Sequence, residues 1–184
     1  YTCSNRALLN DQNPGVLKQA FFNLTNKTTK DQIAATPFGD ARTYTLAGSY
    51  LNIVSQFAQA LPLLEKAHQL SPGKQSIDIE LATDLINARQ GERAVAILKA
   101  DYELVKENDN LNKLYALALV VSGKEAEAHK IFGNDPALFE SIQMAQAYTM
   151  AGQNEKAIAV YKKILAATPS DLNAAVSMAR LQYT

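Results

Sequence analysis

Few residues in this chain have the type and spacing that chemistry requires. His68 and His129 are the only histidines, and no HExxH, CxxC or paired-histidine spacing occurs. No metal and no cofactor are expected, and both histidines are expected at exposed or boundary positions. Cys3 is the only cysteine, so an intrachain disulfide is impossible and the redox compartment stays open. Ser71-Pro72-Gly73-Lys74 matches only the tail of a phosphate-binding loop. It lacks the earlier glycine and the strand that such a loop needs, and it reads as a helix-ending turn. The carboxylates Glu65, Glu80, Glu92, Glu103, Glu107, Glu125, Glu127 and Glu155 are scattered at positions that read as solvated helix faces. Asn23-Leu24-Thr25 and Asn26-Lys27-Thr28 fit the N-glycosylation pattern, which also arises often by chance. No catalytic centre is expected, so the chain reads as a binder and not an enzyme.

The totals narrow what it binds. Lys and Arg number 18 and Asp and Glu 18, so the net charge is zero. A nucleic-acid groove needs clustered excess cations, and none is expected here. No run reaches 18 uninterrupted apolar residues, so this segment does not insert directly into a membrane. The chain begins at Tyr1, as a cut fragment or mature form would, so a missing targeting signal says little about the parent. Eight glycines and six prolines are few, which favours helices.

The elements that carry these residues recur at a fixed beat. Ala60, Ala94, Ala128 and Ala157 are separated by steps of 34, 34 and 29 residues. Gly48, Ala82, Ala116, Ala145 and Ala179 follow the same rhythm, with a final step of 34. A period of this length marks an array of similar supersecondary units. The units are 41–74, 75–108, 109–137 and 138–171, with a final helix over 172–184. Each reads as helix A, a tight turn and helix B. Helices approach to about 8 Å only where the residues at their crossing are small, which explains both columns. Larger neighbours such as Leu81, Tyr115, Met144, Leu98, Phe132 and Tyr161 fill the space beside them. His68 and His129 lie about two units apart, too far to share one ion. Unit 109–137 lacks five residues, so its helix B should end near Gly133. Asp135-Pro136 reads as the N-cap and first position of the next helix A. Pro62 should kink its helix mildly. Residues 1–40 read as a degenerate helical pair and a loop, with Asp40 capping the helix that follows.

This pattern resembles the tetratricopeptide repeat (TPR). The first unit matches with Gly48, Leu51, Ala60, Leu64, Ala67 and Pro72, and the fourth with Met144-Ala145, Tyr148, Gly152, Ala157, Tyr161 and Pro169. The second unit has Arg89 where the family has glycine. The resemblance implies an all-α, right-handed TPR-like solenoid of antiparallel helix pairs, acting as a non-catalytic protein-interaction scaffold. Its concave groove would be lined from the A helices by Asn52, Ile79, Thr83, Ile86, Asn87, Lys113, Leu117, Val120, Val121, Ile142, Gln146 and Met150. Phe139 would join them. An alternative for Leu117, Val120, Ile142 and Met150 is packing against neighbouring helices. TPRs that clamp a C-terminal carboxylate use lysine and asparagine where Thr45 and Ser49 stand, so that activity is not expected. A protein partner presenting a helix or extended apolar peptide is the expected ligand.

Ala58 to Ala67, Leu70 to Gln75 and Leu114 to Ala128 are also similar to the C-terminal TPR tail of bacterial O-antigen polymerase/ligase-like membrane proteins. Thr36-Pro37-Phe38-Gly39 followed by Arg42 resembles the stretch leading into that tail. This implies an extracytoplasmic module tethered to a membrane protein, with no catalytic residue of its own. The final helix, with Val176, Ala179 and Tyr183 apolar, offers a face for homo-oligomer formation.

Overall fold

The computed structural model describes residues 40–53 and 56–183. The expected helical pair at 1–40, the two glycosylation triplets and Cys3 lie outside the described residues, apart from Asp40. All regular structure among the described residues is helical. Two compact units divide the chain at Pro72 and Gly73.

The first unit contains α1 (Ala41–Ile53) and α2 (Phe57–Leu70). Asp40 caps α1 as its sequence position suggests, with the Thr43 N–H donating to Asp40 Oδ1 at 2.7 Å. Gly48 is small because Leu64 leaves no room for more: a Cβ on Gly48 would lie 2.6 Å from Leu64 Cγ. Ala60 and Leu64 on α2 are fully buried at this crossing. Pro62 lies inside α2, which runs on to Leu70 without a break.

The second unit is a stack of helices: α3 (Gln75–Asn87), α4 (Gly91–Leu104), α5 (Asp109–Val121), α6 (Glu125–Phe132), α7 (Pro136–Phe139), α8 (Ile142–Met150), α9 (Asn154–Ala167) and α10 (Leu172–Gln182). The pairs α3/α4, α5/α6 and α8/α9 are the expected A/B pairs, each closed by a three-residue turn. Helix α3 also touches α5, and α5 touches α8, so the A helices form one continuous layer. Ala82, Ala94, Ala116, Ala128, Ala145 and Ala157 are all completely buried. The two columns therefore sit where the helices cross.

The three turns share one geometry. Gln90, Lys124 and Gln153 donate their N–H groups to the carbonyls of Leu85, Leu119 and Tyr148, five residues back, at 2.7, 2.8 and 2.8 Å. This bond needs a left-handed residue just before the donor. Gly123 and Gly152 supply it with φ of 78° and 74°, and Arg89 does so with φ of 59°. Immediately after that turn, Gly91 lets α4 approach α5. A Cβ there would lie 2.5 Å from the Ser122 backbone nitrogen.

The shortened third unit ends as expected. Helix α6 stops at Phe132, and Gly133 follows with φ of 66°. The next helix A differs from expectation. Asp135 and Pro136 do start a helix, with Asp135 Oδ1 accepting from the Ala137 N–H at 3.0 Å, but that helix is the four-residue α7. Ser141 then interrupts it. Its Oγ donates to the Leu138 carbonyl at 3.0 Å and accepts from the Met144 N–H at 3.1 Å. A serine able to serve both sides favours a helix start over a helix interior, so α8 begins at Ile142.

Arg89 carries a strain that its glycine counterparts avoid, since a left-handed backbone costs an L-residue about 1–2 kcal/mol. Part of the gain on removing it is offset by the greater freedom of glycine in the unfolded chain. Arg89→Gly is therefore expected to stabilise the protein by about 1 kcal/mol and raise the melting temperature by about 2–4 °C. Thermal unfolding followed by circular dichroism checks this, and a melting temperature at or below that of the wild type would contradict it.

Candidate functional site

The A-helix layer of the second unit provides the face on which the expected lining can be placed. On α3, Ile79 and Thr83 are half-buried and Asn87 is exposed. The Thr83 hydroxyl donates back to the Ile79 carbonyl at 2.8 Å, so it is already engaged within α3. On α5, Lys113 is exposed, while Leu117 and Val121 are half-buried. On α8, Ile142 and Met150 are half-buried and Gln146 is exposed. The structure thus brings together parts of three helices carrying apolar side chains between amides and a hydroxyl. Lys113 is the cation of this lining, and no carboxylate stands among these residues.

Four expected members are placed elsewhere. Val120 is 0% exposed and Ile86 6% exposed, so both are core residues that hold the layer together and present nothing to a ligand. Both stand at the same repeat position, late in helix A. Phe139 is buried as well, because α7 turns it into the structure. Asn52 lies in the first unit, on α1, where it is half-buried. Its Oδ1 is enclosed and has no hydrogen-bond partner among the described residues.

A polar cluster that sequence patterns did not single out fixes α8, the third element of the face. Tyr148 on α8 donates its hydroxyl to Glu125 Oε1 on α6 at 2.9 Å. Lys156 on α9 pairs with Glu125 Oε2, and its Nζ also stands 5.8 Å from the Tyr148 ring centre. His129 Nε2 faces Glu125 Oε1 at 3.7 Å, and its Nδ1 lies 3.1 Å from the Gly133 carbonyl. The imidazole stacks on Phe139 with ring centres 4.0 Å apart. Lys163 reaches Glu140 at 2.6 Å. These contacts bridge the place where α6 is too short to bridge by packing. The signal for them was the truncation itself, because a missing half-helix must be replaced by something.

Burial alone would raise the Glu125 carboxyl. The hydrogen bonds from Lys156 and Tyr148, with the positive charges of Lys156 and His129, outweigh it and hold the group below its ordinary value of 4.5. Burial, then the hydrogen bond and charge of Glu125, push the Tyr148 hydroxyl up. Among the described residues no group of three or more His, Cys, Asp or Glu side chains could hold a metal ion. No described helix is long and apolar enough to cross a membrane. A shallow depression of about 370 Å³ lies beside the α3–α4 turn, between Arg89, Glu92, Val121 and Ser122, at the edge of the layer.

Comparison with known proteins fits this geometry. Residues 54–103 match the model of the tetratricopeptide repeat. The solved structure of YrrB, described as a TPR protein with an unusual peptide-binding site, is similar at 20% identity and a TM-score of 0.51. That similarity covers 74% of this chain and 73% of YrrB. TTC0263, a thermophilic TPR protein of Thermus thermophilus, is similar at 16% identity and a TM-score of 0.53, covering 97% of each chain. No curated protein matches the chain. The fold is that of an all-α TPR-like solenoid. These comparisons give no support to the resemblance to a polysaccharide-polymerase tail.

The lowered Glu125 value has a definite sign. A carboxyl that holds its proton less tightly when folded stabilises the protein above its unfolded value, and this is lost as pH falls through the folded value. Glu125→Gln is expected to lower the melting temperature by about 1–3 °C near neutrality, the scale of a partly exposed ion pair. The gap should close as pH drops below about 4.5. Paired melts from neutral to acid pH test this, and a gap that stays constant would contradict it.

Proposed function

We propose that this chain is a non-catalytic protein-interaction module that holds a peptide or helical segment of a partner protein against the α3–α5–α8 face. The observation that carries the reading is the composition of that face. Ile79, Leu117, Val121, Ile142 and Met150 are enclosed enough to be ordered and open enough to touch a ligand. Asn87, Gln146 and Lys113 stand exposed among them. Apolar spots fix the side chains of a bound segment, while amides can satisfy its backbone N–H and C=O groups. A layer of A helices assembled by close crossings is rigid before binding, so little ordering entropy opposes association. The description of YrrB as a TPR protein with a peptide-binding site agrees with this reading.

The test compares wild type with the double variant Val121→Asp, Ile142→Asp in binding to peptides selected from a displayed library on the wild-type protein. Both side chains are partly solvent-facing, and circular dichroism is the check that the variant folds. Two unpartnered carboxylates on the face are expected to weaken binding at least about tenfold, or roughly 1.4 kcal/mol. Unchanged affinity in a folded double variant would remove this face as the binding surface.

A further inference from the structure

Arg89 is the residue other than glycine that holds a positive φ among the described residues. The turns at Gly123 and Gly152 make the same five-residue hydrogen bond with no side chain at that position. The fold therefore needs the left-handed backbone of Arg89 but not its guanidinium. That side chain is exposed and makes no hydrogen bond or ion pair among the described residues. A strained backbone carrying a side chain that the fold does not use points to a role outside the fold.

Its surroundings say which role. Arg89 lines the depression of about 370 Å³ beside the α3–α4 turn, and Arg93 lines it too. Glu92 is the carboxylate of that lining, and its Oε1 already faces Lys124 Nζ at 3.8 Å. Arg93 Nη1 donates to Gln90 Oε1 at 2.6 Å, which holds one guanidinium in place beside the free one. The local balance is positive: Arg89, Arg93 and Lys124 against Glu92. Val121 belongs both to this lining and to the half-buried apolar residues of the α3–α5–α8 face, so the depression opens from the edge of that face. The face runs on from α5 to α8. A segment lying on it passes the depression and does not end there, so what enters is a side chain.

We propose that the depression is an acidic-residue subsite of the peptide face, in which the Arg89 guanidinium donates to the carboxylate of an Asp or Glu side chain of the bound segment. Guanidinium and carboxylate match as two parallel hydrogen bonds, which gives direction as well as charge. The subsite rests on the peptide-binding reading and narrows it: the partner segment carries an acidic residue beside the apolar ones that meet Leu117, Val121 and Ile142. It also fixes which way the segment lies, because the acid must fall at the α3–α4 edge. Arg89 then contributes to binding where it costs stability.

Fluorescence anisotropy with labelled peptides, selected from a displayed library on the 184-residue protein, tests it. The selected peptides are expected to share an Asp or Glu. Arg89→Gln, which keeps the left-handed residue non-glycine and removes the charge, is expected to weaken them about three- to tenfold and to flatten the salt dependence of binding. Changing the shared acid to its amide should cost the wild type as much and Arg89→Gln nothing further, while amidating the peptide's C-terminus should change neither. Arg89→Gly should weaken the same peptides although it raises the melting temperature, so lost binding cannot be lost folding. Peptides without a shared acid, unchanged affinity in Arg89→Gln, losses that simply add, or an effect traced to the C-terminus would each overturn the subsite. Ile142→Asp separates the two readings. Peptides weakened by Ile142→Asp but not by Arg89→Gln overturn the subsite alone, and peptides indifferent to both overturn it together with the face.

Discussion

Among the described residues, each A/B helix pair depends on a residue no larger than alanine where its two helices cross. At Gly48 the space is filled by Leu64 to within 2.6 Å of where a Cβ would sit. At Ala82, Ala116 and Ala145, and at Ala94, Ala128 and Ala157 on the partner helices, no surface is left exposed. A larger side chain at any of these points would have to push two helices apart, at about 1–3 kcal/mol for each site. Close crossing is what lets 13- and 14-residue helices, too short to be stable alone, bury enough surface to persist.

The turns and the polar cluster follow from that constraint. Two helices that cross closely must be joined tightly, and a three-residue turn closes only through a left-handed residue. The chain accepts Arg89 there despite its cost, since the five-residue hydrogen bond it permits matches those of Gly123 and Gly152. Helix α6 has the column alanine but not the length. The lost packing is replaced by Glu125, Tyr148, Lys156 and the His129–Phe139 stack, which tie α6 and α7 to α8 and α9. An aromatic group of Tyr102 on α4, Tyr115 on α5 and Phe132 on α6, with centres 5.0 to 6.3 Å apart, joins the same short unit to the one before it.

Most of this architecture was legible in the residues because the constraint is local and periodic. The alanine columns located the crossings, the missing five residues located the end of α6 at Gly133, and Asp40 and Asp135 located helix starts. What escaped depends on contacts rather than on spacing. Ser141 splits 136–150 into two helices because it can bond to both sides, a choice that periodicity does not register. Ile86 and Val120 follow the repeat positions of lining residues, yet they are enclosed, and burial depends on tertiary neighbours that spacing along the chain does not record. The Glu125 cluster joins residues 23 and 31 apart in the chain, with no motif to announce it.

The same constraint assembles α3, α5 and α8 into one continuous layer, the face proposed to meet a partner. Amide chemical-shift mapping of the isotope-labelled protein, titrated with a peptide selected on it, tests this most directly. The largest changes are expected along α3, α5 and α8, centred on Lys113, Leu117, Val121, Ile142 and Gln146, with α4, α6 and α9 little moved. Changes confined to the B helices, with the A-helix amides unmoved, would contradict the account.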